Sequence, residues 1–274
     1  MIPFNVLIRH LEIGGANALA GHGAIGYPSM TAFLGLAQVT ARAVAGEMEG
    51  RFLRRFAIIH HTGRSRLYGI HRDKLTQKRY VHADAGPPSK TEHWQSPPEY
   101  IRPQIDLTFS LLLETKVSPE RAATLKEEPG ILDTCIGHRA LGGTVRKHGA
   151  ILSGADSFDL LARAKGGHVI VDLTPELFLG DGRDPLDVLL DRLSIFSDRA
   201  SPDRLFMAHT GYLAVSEPAL RTTARGEIPH QHAEPIFGLA SFRRSFAIDA
   251  ASPAFWTPVI DRNTQSFHVK GEPK

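Results

Sequence analysis

The sequence predicts an α+β fold whose element order suits a ferredoxin-like βαββαβ core carrying insertions. Three observations predict it. A β-branched strand, a long amphipathic helix and a second strand follow one another over residues 3–60. A strongly apolar strand at 106–115 is followed at once by a short helix and further strand-like segments. The composition, 42% hydrophobic and 22% charged over 274 residues, is that of one large folded domain, spanning 1–274, or of one domain with a sizeable insertion.

The elements are justified in order. Pro3 to Ile13 reads as a strand, with Val6, Ile8 and Leu11 apolar and Arg9 and His10 polar. Gly14 to Pro28 is rich in glycine and poor in large side chains, which reads as a loop whose backbone can approach another molecule closely. A helix opens near Pro28 or Ser29, carries an apolar stripe of Phe33, Leu34, Leu36, Ala37 and Ala41, and runs to about Glu49 with Gly50 as its stop. Phe52 to His60 is the next strand. Residues 62–103 are polar, basic and turn-rich, and read as a β-hairpin flap; Arg64, Arg66, Arg72, Lys74, Lys78 and Arg79 lie there with Tyr68 and Tyr80 among them. Asp106 to Thr115 is the clearest strand, and its Leu111-Leu112-Leu113 run points to burial on both faces. Ser118 and Pro119 suit the cap and first position of a short helix. Residues 156–200 hold a helix, a strand at His168 to Leu173 and a helix at Pro185 to Phe196. Arg204 to Val215 and Pro235 to Phe242 are later elements.

Several function classes are excluded by what is missing. A single cysteine, Cys135, rules out a disulfide scaffold and a thiolate zinc site, and suits a reducing cytoplasm. No signal-peptide pattern opens the chain and no apolar run approaches the roughly 20 residues of a membrane helix, so no membrane partner is expected. The net charge of +3 and the fourteen histidines permit a polyanionic partner without demanding one. Gly21-x-Gly23-x-x-Gly26 matches a dinucleotide fingerprint only in spacing, since no acidic residue ends a following strand about 20 positions on. No phosphate-binding loop or Gly-x-Ser-x-Gly turn is found, and no cofactor is expected.

Five segments carry a resemblance. Ala16-Asn17-Ala18-Leu19 and Ile25-Gly26-Tyr27-Pro28-Ser29-Met30-Thr31-Ala32-Phe33-Leu34-Gly35 come first. Leu107 to Leu113, Arg139 to Val145, Gly211-Tyr212 with Ser216-Glu217-Pro218, and Glu234 to Leu239 follow in the same order. Together they resemble the family of the second protein of the Csy complex, taken here as the Cas5-type RAMP subunit of type I-F CRISPR systems. The chain is shorter than usual members between residues 150 and 205. The resemblance implies a RAMP-type RNA-binding domain with an inserted thumb-like segment, about 150–203, and no catalytic activity. It implies binding of the guide RNA (crRNA) 5′ handle and assembly with a large (Cas8-type) subunit and a repeated Cas7-type backbone subunit. The flap adds target double-stranded DNA as a further partner.

The residues suit that chemistry, each against a plainer reading. Asn17 and His22 offer hydrogen bonds to base edges, Tyr27 a stacking ring, and Gly23 and Gly26 close backbone approach; the plainer reading is a tight strand-to-helix turn. Arg139, Arg146, Lys147 and His148 suit phosphates, with Gly142-Gly143 between them, or else form a solvated charged turn. Arg221 and Arg225, in a loop-like stretch with His230, Gln231 and His232, suit a phosphate or a partner subunit. His230-x-His232 resembles a metal pair without a third ligand, and no metal site is expected. Two other functions stay open: a metal-independent repeat endoribonuclease using His60 or His61, and a protein scaffold for the large subunit with little RNA contact.

Overall fold

The computed structural model describes every residue except 22–23, 48–49, 69–80, 83–102, 165, 180–181, 195–203, 224–225, 250 and 274. The fold is mixed α and β, with a mostly antiparallel sheet. The first strand, β1 (Ile2–Asn17), runs four residues past its expected end, through Gly14 and Gly15. The expected loop at 14–17 is therefore strand. It is held by pairing on both sides, and glycine's lack of a side chain lets a neighbouring strand press against it. Two short strands, β2 (Leu19–Gly21) and β3 (Ala24–Ile25), form a small ribbon.

Helix α1 (Met30–Ala45) starts where expected, with the Ser29 hydroxyl accepting from Ala32 N–H at 3.1 Å. It stops earlier than expected. Gly46, at φ 76°, takes the left-handed conformation and donates its N–H back to Ala43 and Arg42, so Gly46 rather than Gly50 is the cap. Strand β4 (Leu53–Ser65) follows, then the two-residue strands β5 (Leu67–Tyr68) and β6 (Val81–His82), which pair with each other. The rest of the expected flap lies outside the described residues. Strand β7 (Gln104–Val117) leads into α2 (Pro119–Glu127), capped by Ser118 with Pro119 at its start, and into α3 (Ile131–Thr134).

Strands β8 (Arg139–Ala140), β9 (Gly143–Lys147) and β10 (Ile151–Gly154) all lie at the β1 side of the sheet. Helix α4 (Ser157–Ala162), strand β11 (His168–Asp172), a 3₁₀ turn (Thr174–Phe178) and helix α5 (Pro185–Ser194) follow. Strand β12 (Arg204–Ala214) is separated from β15 (Ala233–Arg244) by a ribbon of β13 (Ala219–Thr223) and β14 (Gly226–His230). The stretch read as loop-like around Arg221 and His230 is thus a β-hairpin. The closing hairpin is β16 (Phe255–Asp261) and β17 (Ser266–Glu272).

Among the described residues one eleven-stranded sheet unites all of these strands except the β2–β3, β5–β6 and β13–β14 ribbons, in the order β11-β15-β12-β17-β16-β4-β7-β1-β9-β8, with β10 also on β1. Within it, β10, β1, β7 and β4 are neighbours in antiparallel pairs. An extra pairing of β11 with β4 closes β4, β11, β15, β12, β17 and β16 into a circuit. Alternating side chains bury both faces of the central strands. Val6, Ile8, Phe56, Ile58 and Leu111 pack on the α1 side, while Leu7, Ala57, Ile59 and Leu112 pack with α4, β11 and α5. Among the described residues no helix is long and apolar enough to cross a membrane.

Candidate nucleic-acid interface

Where β1, β4, β7 and β9 end together, Asp106 organises a charged cluster. Its carboxylate accepts from the Gly15 N–H at 3.0 Å, and from Arg66 Nη2 at 2.7 Å and Nε at 3.1 Å. Arg146 Nη2 stands 3.6 Å away, and Arg66 Nη1 also donates to Gln104 Oε1 at 3.3 Å. The Arg66 hydrogen bonds lead in holding the Asp106 carboxyl below the usual carboxylate range, and the Gly15 N–H and Arg146 add to the effect. Arg146 is 56% exposed, against 27% for Arg66, so the first still faces solvent while the second is fixed. A cleft of about 150 Å³ opens here, with Arg64, Arg146, Thr62 and Thr108 on its walls. Lys147 pairs with Glu12 at 3.1 Å and is 69% exposed.

The glycine pair expected to admit a ligand serves the fold instead. A Cβ on Gly143 would stand 2.5 Å from the Gly14 carbonyl oxygen and 2.8 Å from the Ala16 nitrogen, so β9 packs backbone-to-backbone on β1. Gly142, at φ 80°, makes the turn into β9. Gly14 plays the matching part, because the Arg146 guanidinium lies where its side chain would be.

Sequence-distant candidates meet at this corner. Asn17 donates its backbone N–H to Leu141 at 2.8 Å, and Arg139 pairs with Thr144 across β8 and β9. Gly26, exposed and at φ 125° with open space around it, donates its N–H to Ala18 at 2.8 Å. Other assignments need correction. The Asn17 side chain closes its own turn, bonding Leu19 N–H and C=O at 3.1 Å each, so its amide is engaged locally. Tyr27 packs against Phe33, Phe206, Phe242 and His60, and burial raises its phenol pKa; its partly buried ring is engaged against the core, where a stacking platform was expected. His148 hydrogen-bonds the Gly149 carbonyl at 2.9 Å and lies 4.0 Å from Asp133, away from Asp106. Arg221 sits on the separate β13–β14 ribbon, 3.3 Å from His232 Nε2. His22, Gly23 and Arg225 lie outside the described residues.

Asp106 is a site residue that the motifs do not mark; a lone acid opening an apolar strand is the signal that could have found it. A histidine group was also missed in its full extent. His61 Nε2 is 2.7 Å from Ser110 Oγ, and its ring stacks on His10 at 4.4 Å. His60 faces the other way, with Nδ1 3.4 Å from the Tyr27 hydroxyl and its ring against Phe242. Burial pushes both His60 and His61 down to about 4; His168 and Arg204 assist at His60, and His10, His60 and Arg9 at His61.

A family model described as CRISPR-associated protein (Cas_Csy2) matches residues 6–202, well over half of the chain. The chain belongs to the Csy2 family. Csy2 proteins are subunits of the Csy complex of type I-F CRISPR systems. The match names Csy2 and not Cas5, so the Cas5-type designation reached from the motifs is withdrawn. No curated protein sequence matches the chain. The Csy2 match runs from β1 through α5 and contains the whole Asp106–Arg146 cluster, while β12 to β17 lie beyond it.

Proposed function

We propose that this Csy2-family subunit holds the 5′ handle of the guide RNA and does not cut it. The observation that carries the reading is the convergence of exposed Arg64, Arg139, Arg146 and Lys147 at one corner of the sheet, where Glu12 and Asp106 are the carboxylates paired with them among the described residues. Guanidinium forks match phosphate oxygens, and Arg146 is held loosely enough to exchange its contact with Asp106 for a phosphate. The antiparallel neighbours β10-β1-β7-β4, with α1 following β1 and α2 following β7, support a ferredoxin-like, RAMP-type core beneath this corner. The partners are the guide RNA, the large subunit and the repeated backbone subunit, in the cytoplasm.

Cleavage by His60 or His61 is the weaker reading. His60 is packed among aromatic rings and His61 is tied to Ser110, and both are poor proton carriers near neutral pH because burial disfavours their charged forms. Target duplex contact by the 62–103 flap is a further element of the proposal, to be dropped if deleting the flap leaves duplex binding by the assembled complex intact.

The deciding experiment measures binding and integrity of a labelled repeat-derived RNA, with and without its 5′ handle, at two salt concentrations, with the chain alone and with its co-expressed partners. The expected result is salt-sensitive, handle-dependent binding of uncut RNA. The double variant Arg139→Ala with Arg146→Ala should bind at least tenfold more weakly, with its salt slope reduced by about 1.4, from roughly 0.7 for each of two lost single-strand phosphate contacts. Cut RNA would turn the assignment to a ribonuclease, and unchanged affinity of the double variant would favour a scaffold.

A further inference from the structure

A second recess lies away from the Asp106 corner. It is a cavity of about 320 Å³ between the C-terminal half of α1, the start of β4 and the β16–β17 hairpin. Its walls include Leu53, Pro258, Ile260 and Phe267, and two arginines, Arg42 and Arg51, stand on its rim. Neither guanidinium has a hydrogen-bond or ion-pair partner among the described residues, and both residues are exposed. Ile260, on strand β16, is a large apolar side chain left 58% exposed beside the recess.

The hairpin wall lies beyond the family match, at 255–272, whereas α1 and β4 lie within it. Arg42 sits in the last turn of α1, where a cation complements the helix dipole. Arg51 precedes β4 and has no such role.

We propose that this recess docks an acidic segment of another protein subunit of the Csy complex, an apolar side chain filling the cavity while flanking carboxylates meet Arg42 and Arg51. Charge complementarity selects the occupant: two cations with no partner among the described residues, over an apolar floor, suit a carboxylate-flanked apolar anchor. A nucleic-acid strand fits less well. Phe52 is buried at 6% exposure and Phe267 is partly buried against the core, and Leu53, Pro258 and Ile260 complete the apolar wall, which suits an aliphatic anchor better than a stacked base. The proposal rests on membership of the complex and is independent of handle binding at the Asp106 corner.

The test is a double variant, Arg42→Glu with Arg51→Glu, co-expressed with the other subunits and the guide RNA. Subunit stoichiometry is read by native mass spectrometry, and RNA affinity of the full chain is read separately by filter binding. A photo-crosslinking residue placed at Gln38, another lining position, identifies what sits in the recess of the unaltered assembly. The expected result is loss of one protein subunit, or its binding at least tenfold more weakly, with RNA affinity held within twofold. The crosslink should map to an acidic segment of that same subunit. Full stoichiometry in the double variant overturns the proposal. So does a crosslink to RNA or to a second copy of this chain, or a fall in RNA affinity with assembly intact. Should the double variant fail to fold, Ile260→Lys, at an exposed position on the rim, is read by the same measurements and the same outcomes.

Discussion

At the scale of single residues, one tightly constrained position is a glycine whose role looked like ligand access. Gly143 has backbone atoms of β1 where a methyl group would go, and these cannot swing aside as a flexible side chain can. Gly143→Ala should therefore destabilise the fold by about 1–3 kcal/mol, as overpacking does, measured by urea unfolding. Gly26→Ala meets no neighbour, so its penalty comes from φ 125° alone. The two half-buried histidines, His60 and His61, set a pH dependence. Their folded values lie at about 4, below the usual unfolded value near 6.5. Between those limits the unfolded chain binds more protons, so stability is complete above about pH 6.5 and is lost as pH falls toward 4. His60→Phe should flatten that slope, checked by unfolding midpoints across the range. The motif reading found the glycines, Arg139 and Arg146, because glycine pairs and clustered arginines are local signals. It could not find that Asn17 and Tyr27 are occupied, since their partners are set by turn closure and by rings contributed from β4, β12 and β15.

At the scale of elements, helix ends were legible where side chains cap them and less so where a neighbour does. Ser29 and Ser118 cap as their sequence positions suggest. The end of α1 involves a residue 75 positions beyond Gly46: Arg121 on α2 donates from Nε to Val44 C=O at 3.0 Å and from Nη2 to Ala43 C=O at 3.4 Å. That places a cation on the negative end of the α1 dipole and ties α2 to α1. Arg121→Leu should cost about 1–2 kcal/mol by thermal or urea unfolding, from the lost charged hydrogen bonds and the exposed helix carbonyls. The same tie explains why Gly46 ends the helix, although Gly50 also offered a stop in the sequence.

At the scale of the whole molecule, the last strands are fastened to the middle of the sheet through a buried ion pair. Arg55 on β4 donates to Glu114 on β7 at 2.7 Å and 3.1 Å, donates to the Pro273 carbonyl at 2.9 Å, and lies over the Phe255 ring at 4.3 Å. Both side chains of the pair are only 8% exposed. Removing one charge leaves the other buried and uncompensated, so Glu114→Leu should lose about 3–5 kcal/mol and loosen the β16–β17 hairpin. Amide exchange in β17 would report the second effect, and unchanged protection there would refute the link. Because that hairpin also walls the Arg42–Arg51 recess, the Glu114 variant should weaken partner docking without touching the Asp106 corner.

The sequence by itself determined the local grammar of this protein: the apolar alternation of its central strands, the serine caps, and the ordered motifs that pointed to a subunit of the Csy complex, though to the wrong type of subunit. Those signals act over a few residues, so one strand of text carries them. The tertiary structure alone decided that β1 continues through its glycines, that Asp106 gathers Arg66 and Arg146, and that Tyr27 packs against the core. Each of those depends on atoms brought together from distant parts of the chain, as Tyr27 and Phe242 or Asp106 and Gly15 are, and it is their packing and charge compensation, not any local preference, that assigns the roles.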